Sequence, residues 1–170
     1  MRIIYSVVIA VAIIMSGSAP GSQYGKIDKI KEQIIEIQNS GELGVRNLTL
    51  CRKIIGYGVY IPYTTNVTPK GAVIYFYSEV ENIFTSKSKD GYAVNFSQDV
   101  ILVNSKGKEL LNMPKAIKFN YSSVKPVLNL YITFKLNLSS AAPGDYIYKI
   151  VLYDELRGAK VKAEYPFTIK

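Results

Sequence analysis

Two acidic residues, Glu79 and Glu81, alternate with apolar residues in the segment Ala72 to Asn82 and are the side chains most suited to acid–base chemistry. If this segment is a β-strand, both carboxylates project from one face, roughly 6.5 to 7 Å apart, because a strand rises about 3.3 Å per residue. Glycosidases use carboxylates at similar separations, but theirs come from different elements and flank the bond that breaks. We therefore expect a solvated strand face here, with a weak calcium or sugar site as the alternative.

Tyrosines in the same pattern supply flat apolar faces on which a ligand could stack. Tyr75 and Tyr77 alternate with the apolar residues of this segment, and Tyr131 lies in a second alternating segment. Against a ligand role, tyrosine is common in β-sheets, and the chain has 14 tyrosines but no tryptophan. The ligand-binding residues predicted from this pattern are Tyr75, Tyr77, Glu79, Glu81 and Tyr131.

The composition excludes most classes of enzyme and metal site. The chain has no histidine and one cysteine, which excludes histidine-based catalysis, Cys/His zinc sites and disulfide frameworks. Three Ser-x-x-Lys segments match the spacing of serine acylases, but that motif requires a helix start, and these segments are predicted loops or turns; they begin at Ser86, Ser105 and Ser122. No calcium-loop string occurs. We expect no catalytic residue, no metal site and no cofactor.

The single cysteine, Cys51, lies in a predicted strand. Alternation groups Cys51 with Thr49 and Lys53 on the face opposite Leu48 and Leu50, which turns the thiol away from the core. A free cysteine is nevertheless among the most often buried residue types. The sequence leaves two interpretations open, a buried thiol and an exposed thiol that pairs between two chains after export.

Five N-x-S/T sequons occur, more than chance predicts for this content of asparagine, serine and threonine. They indicate a glycosylated surface if the host has the machinery, and otherwise only polar turns and strand edges. The candidate sites are Asn47, Asn66, Asn95, Asn120 and Asn137.

Residues 1–22 have the order of a secretory signal peptide. Arg2 gives a positive start, residues 3–15 form an apolar run, and small residues follow from Ser16 to Ser22. The run is too short to span roughly 30 Å of hydrocarbon at 1.5 Å per residue. We expect export to the periplasm or the extracellular space, with a membrane contact only if the signal peptide stays uncleaved.

A helical segment is predicted for residues 23–44. Isoleucines recur there at helical spacing, and Asn39-Ser40-Gly41 gives a C-terminal stop. The apolar stripe consists of Ile27, Ile30, Ile34, Ile35 and Ile37. We expect this helix to pack on the following domain or to lie across its open end; the alternative is a dimerisation or tethering helix.

Residues 45–170 alternate with period two and are predicted to form one β-sandwich domain. The clearest strand places Leu128, Leu130, Ile132, Phe134 and Leu136 on one face and polar residues on the other. Six further segments separated by turn signals bring the total to about seven antiparallel strands; they are 48–54, 58–63, 72–82, 94–104, 146–153 and 159–169. No strand–helix–strand alternation occurs, which disfavours a parallel sheet. The fold class is all-β.

The C-terminal strands resemble those of bacterial immunoglobulin-like β-sandwich domains of exported proteins. The resemblance rests on Pro143-Gly144-Asp145-Tyr146 and on the segments 151–154 and 165–169, with further likeness in 56–60 and 72–82. In such domains a P-G-x-Y turn leads into a late strand and a corner tyrosine bonds nearby backbone. The resemblance implies an immunoglobulin-like sandwich and carries almost no information on function.

The charge balance and the signal peptide together limit the partners. A formal net charge of +8 attracts anionic surfaces. No nucleic-acid motif is present, so we expect no nucleic-acid partner. The sequence predicts an exported, non-catalytic module for protein interaction or assembly at the cell envelope, with a protein partner there or outside the cell. The alternative is a module that binds carbohydrate or cell-wall polymer.

Overall fold

The computed structural model describes residues 23–170, which form one α-helix and ten β-strands. Helix α1 spans Gln23–Ser40, and the strands are β1 Gly44–Gly56, β2 Val59–Pro62, β3 Val67–Thr68, β4 Val73–Glu81, β5 Thr85–Ser88, β6 Gly91–Asn104, β7 Glu109–Ser123, β8 Leu130–Asn137, β9 Gly144–Asp154 and β10 Ala159–Ile169. The predicted signal peptide, residues 1–22, lies outside the described residues. Within them, no helix is both long and apolar enough to cross a membrane.

The strands form two sheets, which we call the four-stranded and the six-stranded sheet. The four-stranded sheet has the order β2-β1-β4-β8, and all its pairings are antiparallel. The six-stranded sheet has the order β3-β10-β9-β6-β5, with β7 paired along the other side of β6. Only the short β3 pairs in parallel, with β10. The predicted all-β class is confirmed, and the seven predicted segments do not include the short strands β3 and β5 or the 15-residue strand β7.

The core lies between the two sheets, where the apolar faces of alternating strands meet. One apolar cluster joins Leu50, Ile74 and Phe76 of the four-stranded sheet to residues of β6, β9 and β10. At its centre the Phe76 and Tyr148 rings stack in parallel with centroids 3.7 Å apart. A second cluster, containing Val80, Phe96 and Leu152 among others, continues the core toward α1.

The corner tyrosine expected from the sequence is present at the start of β9. The Tyr146 hydroxyl donates a 2.6 Å hydrogen bond to the carbonyl of Ala142, four residues upstream. Gly144 in this turn has φ 144°, a backbone conformation that residues other than glycine rarely adopt. The P-G-x-Y segment therefore forms the turn that its sequence indicates.

Helix α1 ends at Ser40, as its stop signal predicts, and it contacts the sandwich mostly through polar groups. Of the predicted isoleucine stripe only Ile35 is buried, whereas Ile27, Ile30 and Ile37 are exposed. Two hydrogen bonds join Asn39 to the backbone of Thr85 on β5. The helix therefore docks on the domain as predicted, but of the apolar stripe only Ile35 is buried in the docking surface.

A buried charged corner connects the end of α1 to both sheets. Asp154, at the end of β9, accepts hydrogen bonds from the amides of Phe84, Leu156 and Arg157. The Arg157 guanidinium donates to the carbonyl oxygens of Asn39, Gly41 and Asn82 over 2.8 to 3.2 Å. Arg157 and Asp154 also form an ion pair, with 3.6 Å between Nε and Oδ2. This pair thus satisfies backbone groups from the helix end, the β4–β5 loop and the β9–β10 turn.

Candidate functional site

The outer face of the four-stranded sheet holds all five residues predicted to bind a ligand. Tyr75, Tyr77, Glu79 and Glu81 alternate along β4, and Tyr131 on β8 lies directly opposite Glu79 in the register. The residues between them, including Phe76 and Val80, point into the core. Period-two alternation therefore placed these side chains on one face correctly.

The β1–β2 hairpin bends over this face and covers part of it. Its turn residue Gly58 has φ 64°, and its amide donates a 2.7 Å hydrogen bond to the Tyr77 hydroxyl. The Tyr60 ring lies 4.4 Å from the Tyr77 ring, centroid to centroid. Tyr77 is therefore completely buried although its side chain points away from the core.

Glu79 is buried beneath the same hairpin, which corrects the expectation of a solvated strand face. Only 6% of the residue is exposed. Its carboxylate accepts hydrogen bonds from the Tyr77 hydroxyl at 2.8 Å and from the Asn47 side-chain amide at 3.0 Å. Two donors therefore satisfy a charge that alternation alone placed in solvent. Glu81 is the partly exposed one, and its carboxylate lies 3.5 Å from the Arg46 guanidinium.

The pKa values of two tyrosines at this site, Tyr77 and Tyr57, are raised above the ordinary value. Burial and the Glu79 carboxylate raise the pKa of Tyr77, although the bond from the Gly58 amide opposes the shift. Burial and the carboxylates of Glu79 and Glu81 likewise raise the pKa of Tyr57. Both phenols stay protonated at neutral pH, so they act as neutral hydrogen-bond donors in this network.

An open groove of about 430 Å³ runs beside the covered region on the same face. Its lining residues are Arg52, Lys53, Ile54, Tyr75, Tyr131 and Thr133. Of the five predicted ligand residues, only Tyr75 and Tyr131 line it. Tyr77 and Glu79 are supports beneath the hairpin, and Glu81 is paired with Arg46.

The Tyr131 ring forms a wall of the groove that is held in place by its neighbours. It stacks on Tyr77 at 5.7 Å with an interplanar angle of 27°, and Tyr57 approaches it edge-on at 6.4 Å. Tyr77 is itself fixed by Gly58 and Glu79. The buried network therefore orients an aromatic surface that is 40% exposed.

The sequence pattern missed the groove residues contributed by β1. Register shifts interrupt the β1–β2 pairing between Cys51 and Lys53 and again between Ile54 and Gly56. Alternation puts Lys53 on the outer face with Cys51, but it does not predict Arg52 and Ile54 in the groove, because an extra residue at such an irregularity changes the face of nearby residues. Thr133, by contrast, continues the alternation of Tyr131 and could have been identified from it.

Cys51 is fully buried, which decides between the two interpretations of its sequence. Its backbone pairs with Tyr75 on one side and Pro62 on the other, so it lies in the middle of the sheet. Burial raises the pKa of the thiol to about 11. A buried, protonated thiol does not favour pairing between two chains.

The five sequons differ in their surroundings. Asn47 uses its amide nitrogen to bind Glu79, and Asn95 and Asn120 lie directly opposite each other on β6 and β7. Asn66 and Asn137 are exposed near strand ends.

Among the described residues, no group of three or more potential metal-ligating side chains comes together.

Comparison with known proteins adds no family assignment. No protein-family model matches the sequence, and no curated protein matches it. Similar solved structures include an alkylpurine DNA glycosylase of Pseudomonas fluorescens bound to DNA with an abasic-site analogue, at 12% identity and TM-score 0.45, covering 86% of this chain and 36% of the other.

Two further solved structures show likeness of the same order. A family 123 glycoside hydrolase of Clostridium perfringens matches at 11% identity and TM-score 0.46, covering 76% of this chain and 27% of the other. The soluble domain of PmoD from a Methylocystis species matches at 14% identity and TM-score 0.36, covering 75% and 90%. This chain thus corresponds to about a third or less of the glycosylase and the hydrolase. At these scores the likenesses carry no argument about function, which must come from the site.

Proposed function

We propose that this protein is an exported, non-catalytic β-sandwich of the immunoglobulin-like type that binds carbohydrate or cell-wall polymer. The observation that carries the proposal is the groove on the outer face of the four-stranded sheet, with the exposed ring of Tyr131 and the half-buried ring of Tyr75 in its lining. Amphipathic aromatic rings offer an apolar face to a sugar ring and a hydroxyl to its polar groups.

Rigidity of the wall supports this proposal. Tyr131 is fixed by Tyr77 and Tyr57, so little conformational freedom remains to be lost when a ligand binds. A buried network that orients an exposed ring on a sheet is the arrangement that a preorganised binding site requires.

Retention on insoluble polysaccharides tests the proposal. The folded protein is mixed with a panel of insoluble polysaccharides, and bound protein is released with soluble oligosaccharide of the same type. We expect Tyr75→Ala and Tyr131→Ala to lower retention at least tenfold. Tyr121→Ala is the matched control, because Tyr121 is 43% exposed on β7 of the other sheet. Retention that survives both groove substitutions contradicts the proposal.

A second candidate, the protein-interaction or assembly module, is favoured by the exposed apolar residues of the β1–β2 hairpin. Ile55, Val59 and Ile61 are all at least half exposed, and β2 is an edge strand. Apolar edge strands accept partner strands readily. A photocrosslinker at Val59 should then capture an envelope protein that the same group at Lys160 on β10 does not. Equal capture at both positions counts against this candidate.

A further inference from the structure

The charged residues that line the groove are all positive and form no ion pair within residues 23–170. Arg52 and Lys53 belong to the lining, and none of the lining residues is acidic. Lys135 lies opposite Tyr75 in the β4–β8 register, two residues from Thr133 on the same face. None of these three cations forms an ion pair with any other residue in 23–170.

The acidic residues of this face are already engaged. Glu79 is buried and receives hydrogen bonds from Tyr77 and Asn47. The Glu81 carboxylate is paired with Arg46. The groove cations therefore have no anionic partner on this face. Their positive electrostatic potential acts on any ligand that enters the groove.

Arg52 is positioned as well as charged. Its guanidinium carbon lies 4.9 Å from the centroid of the Tyr63 ring, a cation–π contact that limits the motion of the side chain. A guanidinium held in this way offers a planar fork of N–H donors, which matches the two oxygens of a carboxylate. Lys53 and Lys135 provide point charges without that geometric selectivity.

We propose that the groove selects an acidic polysaccharide, a polymer whose pyranose rings carry carboxylates, over a neutral one. This inference rests on the proposed function. The sugar rings lie against Tyr75 and Tyr131, and the carboxylates are bound by Arg52, Lys53 and Lys135. Single-stranded nucleic acid also combines flat rings with negative charge. The predicted export favours the polysaccharide, so an oligonucleotide is a competing outcome of the test.

The test uses two polymers that share a backbone and differ in charge. Polygalacturonate carries one carboxylate per ring, and its fully methyl-esterified form carries none. Binding of the folded protein to each is measured by isothermal titration calorimetry at 50 mM and 500 mM NaCl. We expect binding to the acidic form to be at least tenfold tighter at 50 mM NaCl, and the difference to shrink at 500 mM, where charges are screened within roughly 4 to 5 Å.

Variants separate groove contacts from general attraction to a basic protein. Lys53→Gln and Lys135→Gln should each weaken binding of polygalacturonate roughly two- to fivefold, the range for an exposed ion pair. The double variant Lys160→Gln/Lys162→Gln removes two exposed charges from β10 and should leave binding within twofold. Tyr131→Ala should weaken binding at both salt concentrations.

Each contrary result has a distinct meaning. If only neutral polysaccharides bind, and Tyr131→Ala abolishes that binding, the proposed function holds and the selection of acidic polymer is wrong. If neither the two galacturonans nor any polysaccharide of the panel binds, the proposed function itself fails. Equal losses in the groove and β10 lysine variants would show non-specific attraction and overturn the inference. Tighter binding of an oligothymidine through the same residues would also overturn it.

Discussion

At the scale of single residues, the unusual feature of this protein is an acid buried on the outer side of a sheet. Glu79 is satisfied by Tyr77 and Asn47 and not by a cation. Asn47 adopts φ 54° at a register shift in β1, a left-handed conformation that asparagine tolerates better than most residues. This irregularity brings the Asn47 amide to the carboxylate.

Removing the Glu79 carboxylate should destabilise the fold. Glu79→Ala leaves the Tyr77 hydroxyl and the Asn47 amide without their acceptor, and we expect a loss of about 2 to 3 kcal/mol in the free energy of unfolding. Glu79→Gln retains one acceptor oxygen and should cost about 1 to 2 kcal/mol. Urea denaturation followed by circular dichroism measures both values.

Glu81→Gln is the matched control for this prediction. Glu81 lies two residues further along the same strand face, but its ion pair with Arg46 is solvent-accessible. Such pairs contribute about 0 to 1 kcal/mol. A loss in Glu81→Gln as large as that in Glu79→Gln would show that burial of Glu79 is not what matters.

Cys51 should be inert in the folded protein. Its pKa is raised to about 11 by burial, above the ordinary value of 9.0. Since folding favours the protonated thiol, its contribution to stability is complete below pH 9 and is lost as the pH rises through 11. We expect no reaction with Ellman's reagent at pH 8 until urea unfolds the chain. Rapid labelling of the native protein at pH 8 would contradict the buried position.

At the scale of elements, helix α1 is held by a narrow set of contacts. Asn39 and Ile35 contact the sandwich at the C-terminal half. Asp28 pairs with Lys125, and Glu32 pairs with Lys87 and accepts a bond from Tyr92. Most of the isoleucine stripe is left exposed beside these contacts.

Substitution of two isoleucines of α1 distinguishes the buried contact from the exposed part of the stripe. Ile35 is 4% exposed and Ile37 is 70% exposed. Ile35→Ala should weaken docking of the helix by about 2 kcal/mol or more, because it leaves a cavity. Ile37→Ala should change stability by less than about 0.5 kcal/mol. Amide hydrogen exchange in residues 23–40 reports docking directly, and similar exchange in both variants would refute the assignment.

Local sequence pattern predicted those elements whose burial follows a regular period. The β4 and β8 faces and the end of α1 could be predicted from the chain, because each depends on neighbouring residues. The Tyr146 turn was predicted from the resemblance to immunoglobulin-like domains. The burial of Glu79 depends on the β1–β2 hairpin folding back over its own sheet, which no local period encodes. Alternation also gave the correct face of Lys53, whereas the register shifts in the β1–β2 pairing hid the groove positions of Arg52 and Ile54.

At the scale of the whole molecule, ion pairs rather than apolar packing join much of α1 to the sandwich. A hydrogen bond from Lys125 lowers the pKa of Asp28, and hydrogen bonds from Lys87 and Tyr92 lower the pKa of Glu32. The same bonds raise the pKa of Lys87 and Lys125. Attachment of the helix is therefore coupled to pH in the acidic range.

Acid should loosen the helix before it unfolds the sandwich. Carboxyl groups with lowered pKa stabilise the fold fully above their unfolded values of 3.8 and 4.5 and lose that contribution as the pH falls through the lower folded values. We expect NMR order parameters of α1 amides to fall between pH 6 and pH 3, while those of β9 stay unchanged. The variant Asp28→Asn/Glu32→Gln should already be loose at pH 6; a helix that still responds to acid in this variant would disprove the assignment.

The corner formed by Asp154 and Arg157 has a consequence for the order in which the chain matures. Arg157 bonds Asn39 and Gly41 across 118 and 116 residues of sequence. During synthesis α1 therefore leaves the ribosome long before Arg157, and this corner cannot close until the β9–β10 turn has been made. The bonds that join the helix end to both sheets at this corner therefore form only after nearly the whole described chain has been made.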